Sequence, residues 1–412
     1  MIKFIHTADT HFGIENYGKL DPKTGIHSRL LDFEQSLNFC IDHAIEKKVD
    51  FFLFCGDAYK TTNPTPTQQK LFMNCMFRLY KNNIPVILVI GNHDNPLSFG
   101  KAHSLDVFCN LPLDGFHIIS KPSIVNLKTK HGPVQIVGIP WPTRNTINMA
   151  DKHLIKTNDE ITRYISQAVG TIIQSYAQKL NPNIPSVLAG HLTVSTGIFS
   201  GSERSAIYGN DPILLPSQLA IEPFDYVALG HLHRYQNLNT GGYPALVYCG
   251  SPERVDFGER SEDKGFCVVS VEEKNKTSHQ FVKTPARPFI QIECKMQVNR
   301  NQTEQLLEEL EKHTLDDAII KIKYHAPEGK KDFVDLQAIQ KACEKAHHLA
   351  GIVPIKTIQI RERRSGLKVD MDFATIFGAY LDTKPELKEK RARLIKRASL
   401  LFQLIKQTEK NS

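Results

Sequence analysis

The sequence predicts an α/β protein in which a large first domain is followed by a smaller α/β domain and by C-terminal helices. The chain has 412 residues, which is more than one hydrophobic core usually holds. Short apolar runs alternate with helical patterns along its first two-thirds, as in layered α/β proteins. Strand and helix patterns then resume after the short stretch PARP at Pro285–Pro288. We therefore expect domains at 1–285 and 286–361 and a linker with helices at 362–412.

The first domain is expected to begin with the strand IKFIH, followed by a helix near residues 30–47 whose apolar residues recur at helical spacing. A second helix is predicted for TQQKLFMNCMFRLYKNN. The remaining apolar runs are short and rich in β-branched residues, which is typical of buried strands. They are FFLF, VILVI, VQIVGI, SVLAG, YVALG, ALVYC and FCVVSV.

The second domain is predicted to alternate strand, helix, strand, helix and strand. Two amphipathic helices follow the polar run RERRSG, and each carries an apolar stripe along one face. The predicted elements are FIQIECKMQ, EQLLEELEKH, AIIKIKY, LQAIQKACEKAHHLAGI and IKTIQI.

Composition narrows the class of protein. Eight cysteines lack any C-x-x-C pair, and several lie in apolar runs, so we expect buried reduced thiols and a reducing, cytoplasmic compartment. The N-terminus has no signal-peptide pattern and no apolar run is long enough to span a membrane. The formal charge of +7 is compatible with a polyanionic partner but is weak support alone.

Polar side chains cluster directly after five of the predicted strands. Four of these five groups follow a glycine, which permits a tight turn and a close backbone approach. Loops at the carboxyl ends of strands in an α/β sheet meet in space, so these residues are expected to converge on one cleft. The residues are Asp9 and His11; Asp57; Asn92, His93 and Asp94; His191; and His231 and His233.

Each group taken alone has a simpler structural explanation. A Gly-Asp or Gly-His pair after a strand is most often a turn, and Asn and Asp suit turns. A set of independent turns would not be expected to select histidine repeatedly. The five groups together therefore predict a metal site with carboxylate, amide and imidazole ligands.

The ordered motifs ADTH, GD, GNHD, GH and GHLH resemble those of the calcineurin-like metallophosphoesterases. The flanking stretches HSRLLDF, FGKAHSLDVF, GSERS and YCGSPERVDFGE are similar to those of the SbcD-type nuclease subunits of SbcC-SbcD DNA exonuclease complexes. The resemblance covers residues 1 to about 290 and extends more loosely beyond. It implies a central β-sandwich flanked by helices, with the second domain acting as a DNA-binding cap.

The resemblance also implies two metal ions. In the family pattern one ion is held by Asp9, His11, Asp57 and His233, and the other by Asp57, Asn92, His191 and His231. Two dications about 3.5–4 Å apart repel by roughly 16 kcal/mol at an effective dielectric of 20, so an anionic bridge is needed, and Asp57 is the best candidate. The ligand types favour borderline transition ions, and the family makes Mn²⁺ the leading choice, with iron and zinc left open.

His93 and Asp94 are the expected catalytic residues. The resemblance places His93 beside the second ion but not bound to it, where its ring could protonate the leaving oxygen or stabilise transition-state charge. Asp94 is expected to orient that ring. Two alternatives remain open: that His93 only fills a loop position, and that Lys60 contacts phosphate or merely faces solvent.

The implied activity is that of a DNA nuclease with double-strand exonuclease and single-strand endonuclease action in DNA repair, recombination and replication. The implied partners are DNA, a second copy of the chain and an SbcC-type coiled-coil ATPase held by the C-terminal helices, forming a heterotetramer. Candidate DNA-backbone contacts are Arg144, Arg204, Arg254 and Arg260. A phosphatase or small-nucleotide phosphodiesterase of the same fold, and a non-catalytic phosphoesterase-like scaffold, remain open as alternatives.

Overall fold

A computed structural model describes residues 1–96, 101–109, 114–143, 157–201, 211–326, 331–355, 372–382 and 384–409. The chain divides into two compact units, Met1–Ile355 and Lys356–Ser412. The elements before residue 286 are β1 (Ile2–Thr7), α1 (Ser28–Glu46), β2 (Phe51–Phe54), α2 (Pro66–Lys81), β3 (Val86–Val89), β4 (Phe116–Ile119), β5 (Ser123–Thr129), β6 (Gly132–Ile139), α3 (Asn158–Ala177), β7 (Ser186–His191), β8 (Thr193–Val194), β9 (Ile213–Leu214), α4 (Pro216–Leu219), β10 (Tyr226–Gly230), β11 (Gln236–Asn237), β12 (Ala245–Tyr248), β13 (Gly265–Glu273) and β14 (Lys276–Lys283).

Two six-stranded sheets pack face to face. Their strand orders are β14-β13-β1-β2-β3-β4 and β11-β12-β10-β7-β6-β5. The strands from β1 to β4 are parallel, as are β6, β7, β10 and β12, so each sheet gathers the carboxyl ends of several strands at one edge. The antiparallel strands lie at the margins of the two sheets.

Side-chain alternation along each strand builds three apolar layers. In β1, Phe4 faces the core between the two sheets whereas Ile5 packs on the helical side. Helices α1 and α2 cover the outer face of the first sheet, and α3 covers the outer face of the second. The central β-sandwich flanked by helices that the sequence predicts is therefore confirmed.

Helix α2 shows why these segments begin where they do. Thr65 accepts a hydrogen bond from Gln68 N, and the Gln68 side chain accepts one from Thr65 N, which completes a capping box. Pro66 occupies the first turn, where no amide donor is needed. The strands FHII, SIVNLKT and KTSHQFVK were not predicted from the sequence, because all three lie partly exposed and carry polar residues.

Residues 289–326 and 331–355 contain a separate three-stranded parallel sheet, which we call the capping sheet. Its elements are β15 (Phe289–Lys295), α5 (Gln302–Leu310), β16 (Ile319–His325), α6 (Leu336–Ala342) and β17 (His348–Ile355). Ile292, Ile322 and Leu306 belong to its own apolar core.

The prediction for the end of this segment is wrong in two respects. The predicted helix LQAIQKACEKAHHLAGI ends at Ala342, and HLAGIVPI instead forms the third strand. The run Gly351–Ile352–Val353 pairs with β16, so sheet pairing overrides the helical spacing of its apolar residues. The predicted strand IKTIQI lies, after Ile355, outside the described residues.

One loop touches both the sandwich and the capping sheet. We call residues 250–264, between β12 and β13, the strap loop. Phe257 in this loop packs against Phe289 and Ile319 of the capping sheet. Glu253 in the same loop accepts a hydrogen bond from Ser36 Oγ at 2.9 Å and one from Arg287 N at 3.2 Å.

The C-terminal unit contains α7 (Phe373–Asp382) and α8 (Arg391–Glu409). The rings of Phe373 and Phe402 stack at 4.5 Å, which joins the two helices. Across the part of the chain described here, no helix has both the length and the apolarity to cross a membrane. All eight cysteines are free thiols.

Candidate metal centre

The polar residues that follow five strands lie together at one edge of the sandwich. They extend from β1, β2 and β3 in the first sheet and from β7 and β10 in the second. Hydrogen bonds from Asp9 N to Gly56 O (2.9 Å) and from His11 N to Asp57 O (3.1 Å) join the first two loops. The convergence expected from the parallel strand ends is thus observed.

Four residues of this edge have a left-handed backbone. The φ angles are 57° at Asp9, 45° at His11, 57° at Asp57 and 104° at His231. Positive φ angles are uncommon for residues other than glycine, although aspartate and histidine adopt them more often than most, and such residues often cluster at functional sites. The fold therefore holds these side chains in positions that local preference alone would not select.

Two glycines allow the loops to approach this closely. A Cβ atom on Gly91 would lie 2.1 Å from Asp57 Oδ1, and one on Gly230 would lie 2.0 Å from the carbonyl oxygen of Cys55. Any larger residue at either position would displace a loop that carries a predicted ligand.

Hydrogen bonds select which nitrogen of two histidines faces the centre. His233 Nδ1 lies 2.7 Å from Glu259 Oε1, and His191 Nδ1 lies 2.7 Å from the Cys55 carbonyl oxygen. Because a carboxylate and a carbonyl only accept, both Nδ1 atoms carry the proton and donate it. Nε2 is therefore the atom that each ring can offer to a metal ion, once that nitrogen carries no proton of its own.

The first cluster of donor atoms contains Asp9, His11 and His233. Their donor atoms lie within 4.8 Å of one another. The Nε2 atoms of His11 and His233 approach to 2.9 Å, and His11 Nε2 lies 3.6 Å from Asp57 Oδ2. This cluster contains three of the four residues that the family resemblance assigns to the first ion, and the fourth, Asp57, lies beside it.

The second cluster forms around Asn92, His191 and His231. Asn92 Oδ1 lies 2.9 Å from His191 Nε2 and 3.3 Å from His231 Nδ1. Asp57 Oδ2 lies 3.4 Å from His191 Nε2 and 3.6 Å from His11 Nε2. A single carboxylate oxygen of Asp57 thus lies between the two clusters, where a bridging ligand is expected.

Burial makes this group of ionisable residues strongly interdependent. Burial raises the pKa of Asp9 to about 7, although His191 and His233 oppose the shift. Burial alone would also raise the pKa of Asp57, but the charge and hydrogen bond of His191, with His93 and His11, hold it well below its usual value. Burial lowers the pKa of His11 and His231.

The donor set fits a pair of divalent ions. A mixture of carboxylate oxygen, amide oxygen and imidazole nitrogen suits borderline transition ions. Hard ions such as Ca²⁺ and Mg²⁺ prefer sites lined by oxygen alone. The Nε2 atoms of His11 and His233 are both buried and lie 2.9 Å apart, so they are well placed to bind the same cation. The same residues without an ion would leave buried polar groups poorly compensated.

His93 is partly accessible, with a third of its side chain exposed. Its N–H donates to Asp57 Oδ1 at 2.9 Å, and its Nδ1 lies 2.8 Å from the Lys60 carbonyl oxygen. Its Nε2 is 4.0 Å from Asp57 Oδ2. His93 could also complete a cation site with His11 and Asp57, so its expected role beside the ion stays a prediction.

Asp94 makes contacts that differ from the expected one. Its carboxylate accepts hydrogen bonds from the backbone N–H groups of Asp57 (2.8 Å), Ala58 (3.1 Å) and Gly91 (3.1 Å), and from Ser104 Oγ (3.2 Å). The His93 ring is instead oriented by the Lys60 carbonyl. The contacts of Asp94 thus hold the loops after β2 and β3 together, because a buried carboxylate collects nearby amide donors.

The remaining sequence-based candidates have different surroundings. Lys60 is exposed. Arg254 is half-buried and donates to the carbonyls of Ala286 (3.3 Å) and Glu262 (2.8 Å), which ties it to the interior of the protein. Arg260 is exposed, and Arg144 and Arg204 lie outside the described residues.

Sequence reasoning missed two residues of this site. Trp141 follows β6 and its ring lies 4.9 Å from that of His231 and 6.0 Å from that of His191. Two features of the sequence could have indicated Trp141: it follows the predicted strand VQIVGI, which is a sixth strand end, and it is the single tryptophan of the chain. Glu259 ends the stretch YCGSPERVDFGE that resembles the SbcD-type subunits, but nothing in the sequence indicated that it contacts His233, 26 residues away.

Comparison with known proteins adds a family and two relatives. The family model described as calcineurin-like phosphoesterase matches residues 2–235. The SbcD component of the SbcCD nuclease from Staphylococcus epidermidis is 25% identical over 295 residues, which is 71% of each chain. Its counterpart of the same name from Staphylococcus saprophyticus is 27% identical over 328 residues, which is 78% of each chain.

Two solved structures are also similar. TT1561 of Thermus thermophilus matches with a TM-score of 0.39 and 10% identity, covering 68% of this chain and 98% of its own. A dimetal phosphatase from Danio rerio matches with a TM-score of 0.36 and 10% identity, covering 69% of this chain and 99% of its own.

Proposed function

The chain belongs to the calcineurin-like phosphoesterase family, and from that premise we propose that it is a metal-dependent DNA nuclease that hydrolyses phosphodiester bonds with two divalent ions, Mn²⁺ being the leading candidate. The observation that carries this proposal is the position of Asp57. Its Oδ2 atom lies 3.6 Å from the donor nitrogen of His11 in one cluster and 3.4 Å from that of His191 in the other.

Each of the two clusters would hold one divalent ion in the proposed reaction. Bound divalent ions would polarise the phosphoryl group and lower the pKa of a water molecule. Asp9, His11 and His233 would hold one ion, and Asn92, His191 and His231 the other, with Asp57 shared. The left-handed backbone at Asp9, His11 and Asp57 keeps the donor atoms aimed inward before substrate arrives.

His93 is proposed to supply a proton to the leaving oxygen. Since its Nδ1 donates to the Lys60 carbonyl, a neutral ring has no proton on Nε2. The ring must therefore carry a proton on both nitrogens to act as an acid from Nε2. Its partial exposure leaves this nitrogen open to a substrate phosphate.

Preference for DNA is supported by the staphylococcal relatives, which are named as nuclease components, and by the additional capping sheet. A small phosphoester needs no second sheet beside the metal centre, whereas a polymer contacts a wider surface. The eight free thiols suit the proposed cytoplasmic location. Double-strand exonuclease and single-strand endonuclease action in DNA repair are the proposed activities.

The decisive experiment is digestion of a linear duplex, a single-stranded circle and a small phosphodiester by the purified chain with MnCl₂. We expect cleavage of both DNA substrates and its loss in excess chelator. Hydrolysis of the small ester alone would instead favour a phosphatase or small-nucleotide phosphodiesterase. No hydrolysis of any substrate would favour a non-catalytic scaffold.

The C-terminal helices are proposed to bind a coiled-coil ATPase of the SbcC type, within an assembly that also pairs two copies of this chain. Tyr380, Leu400 and Leu401 are large apolar residues that are each more than half exposed, which suits a helical partner. Deleting the residues after Gly366 should abolish copurification with the ATPase and leave manganese-dependent cleavage of short single strands unchanged. Retained copurification contradicts the docking proposal.

A further inference from the structure

Glu259 contacts a proposed metal ligand from outside the metal centre. It lies in the strap loop and is fully buried. Its Oε1 atom accepts the Nδ1–H of His233 at 2.7 Å, and its Oε2 atom accepts the Val255 N–H at 3.0 Å. The carboxylate therefore fixes both the tautomer and the ring orientation of His233.

Lys264 provides the counter-charge for this carboxylate. Its ammonium lies 2.7 Å from Glu259 Oε2, and the side chains of both residues are fully buried. It also donates to the His233 carbonyl oxygen at 3.0 Å and to Glu262 Oε2 at 3.3 Å. A buried ammonium at this distance favours the ionised carboxylate, so the two residues form a buried ion pair behind His233.

Among the described residues, no other ligand histidine has a carboxylate this close to the ring nitrogen that faces away from the centre. His191 donates to a neutral carbonyl, that of Cys55. The Nδ1 atom of His11 has no hydrogen-bond partner in the described part of the chain. His231 Nε2 is 3.5 Å from Asp211 Oδ2, which is longer than a hydrogen bond to a charged group.

A buried ion pair is a weak source of stability, because removing two charges from water offsets much of their attraction. Its presence behind one ligand therefore calls for a role in ligand chemistry. A carboxylate that accepts the distal N–H of a ligand histidine makes the other nitrogen a better donor to a metal ion.

We propose that Glu259, supported by Lys264, is a positioning residue that presents His233 Nε2 to the metal centre and raises the affinity of that centre for a divalent ion. The inference rests on the proposed two-metal function. It assigns to the strap loop a task that the strand-end motifs do not show.

The test is calorimetric titration of the full chain with MnCl₂, together with thermal unfolding in chelator. Glu259→Gln should weaken binding at one of two sites by about 10- to 100-fold, the usual loss when the partner of a ligand histidine is removed. Glu262→Gln is the matched control, because Glu262 contacts Lys264 but not His233. It should bind manganese as tightly as the wild type.

The double variant Glu259→Gln/Lys264→Met separates ligand chemistry from folding. In Glu259→Gln the buried ammonium keeps only its longer contact to Glu262, and the double variant removes that ammonium, so the melting temperature should recover relative to Glu259→Gln. Manganese affinity should stay low, because the charged acceptor for His233 is still missing. Recovery of both quantities would overturn the proposal, as would unchanged affinity in Glu259→Gln.

The outcomes also separate this inference from the proposed function. If the wild type binds no manganese, both fail. If the wild type binds two ions and the double variant, once folded, binds them equally well, only the role of Glu259 fails.

Discussion

The sandwich edge and the capping sheet bury different kinds of side chain within one compact unit. At the edge, Asp9, Asp57 and His191 are almost fully buried. In the described part of the capping sheet, residues 289–326 and 331–355, the buried polar side chains are Gln302 and Gln305. Burying charge is costly unless a partner or ion compensates it. The edge is therefore organised for chemistry, whereas the capping sheet is stabilised by apolar packing.

Replacing Asp57 tests this contrast most severely. Asp57→Asn removes the carboxylate between the two clusters, so we expect binding of both ions to be lost and hydrolysis to fall by at least about 10³-fold, or ~4 kcal/mol of transition-state stabilisation. Metal content and cleavage rate measure both effects. Asp42→Asn, the same change at an exposed position of α1, is the control. Two bound ions in Asp57→Asn would show that Asp57 is not the bridge.

His93→Ala separates chemistry from metal binding within the edge. We expect hydrolysis to fall by about 10²- to 10⁴-fold, the usual contribution of a placed general acid, while two ions remain bound. His313→Ala in the capping region is the matched control, because the two side chains are similarly exposed, 33% and 35%. Loss of an ion in His93→Ala would make His93 a ligand and refute its assigned role.

Ile322→Ala probes the opposite region. Ile322 is fully buried in the core of the capping sheet, so truncation should lower the free energy of unfolding by about 2–5 kcal/mol, and Ile322→Val by about 0.5–1.5 kcal/mol. Manganese affinity should be unchanged in both variants. Urea unfolding and calorimetric titration measure the two quantities. A loss of affinity without a loss of stability would show that the contrast between the regions is false.

The pH dependence of stability should also originate near the edge. His6 in β1 lies 3.2 Å from the Tyr226 hydroxyl and the Leu229 carbonyl, and burial lowers its pKa from 6.5 to about 3. Between these values the unfolded chain binds a proton that the folded chain does not. The free energy of unfolding should therefore fall as pH decreases from 6.5 towards 3, by at most about 2 kcal/mol at pH 5.

The variant His6→Gln cannot titrate, so its stability deficit relative to the wild type should be smaller at pH 5 than at pH 7. Urea unfolding at the two pH values measures this difference. An equal deficit at both values would mean that His6 is not the source.

Sequence reasoning succeeded where a signal is local. The strand ends and the residues after them are adjacent in sequence, so the five loops and their nine polar residues were found before any geometry was known. The strand β17 was misassigned because its pairing with β16 depends on distant residues. The contacts of Asp94 and Glu259 could not be predicted, because each joins segments that only the folded chain brings together.

The strap loop limits how far this protein can be treated as a set of interchangeable parts. Within a few residues it packs Phe257 on the capping sheet, binds the backbone of Arg287 at the junction and places Glu259 behind His233. A capping sheet transplanted from another protein would need to reproduce the surface that receives Phe257. Chimeras that ignore this loop should disturb a ligand of the metal centre, so domain exchange in this chain is best designed with residues 250–264 included in the donor segment.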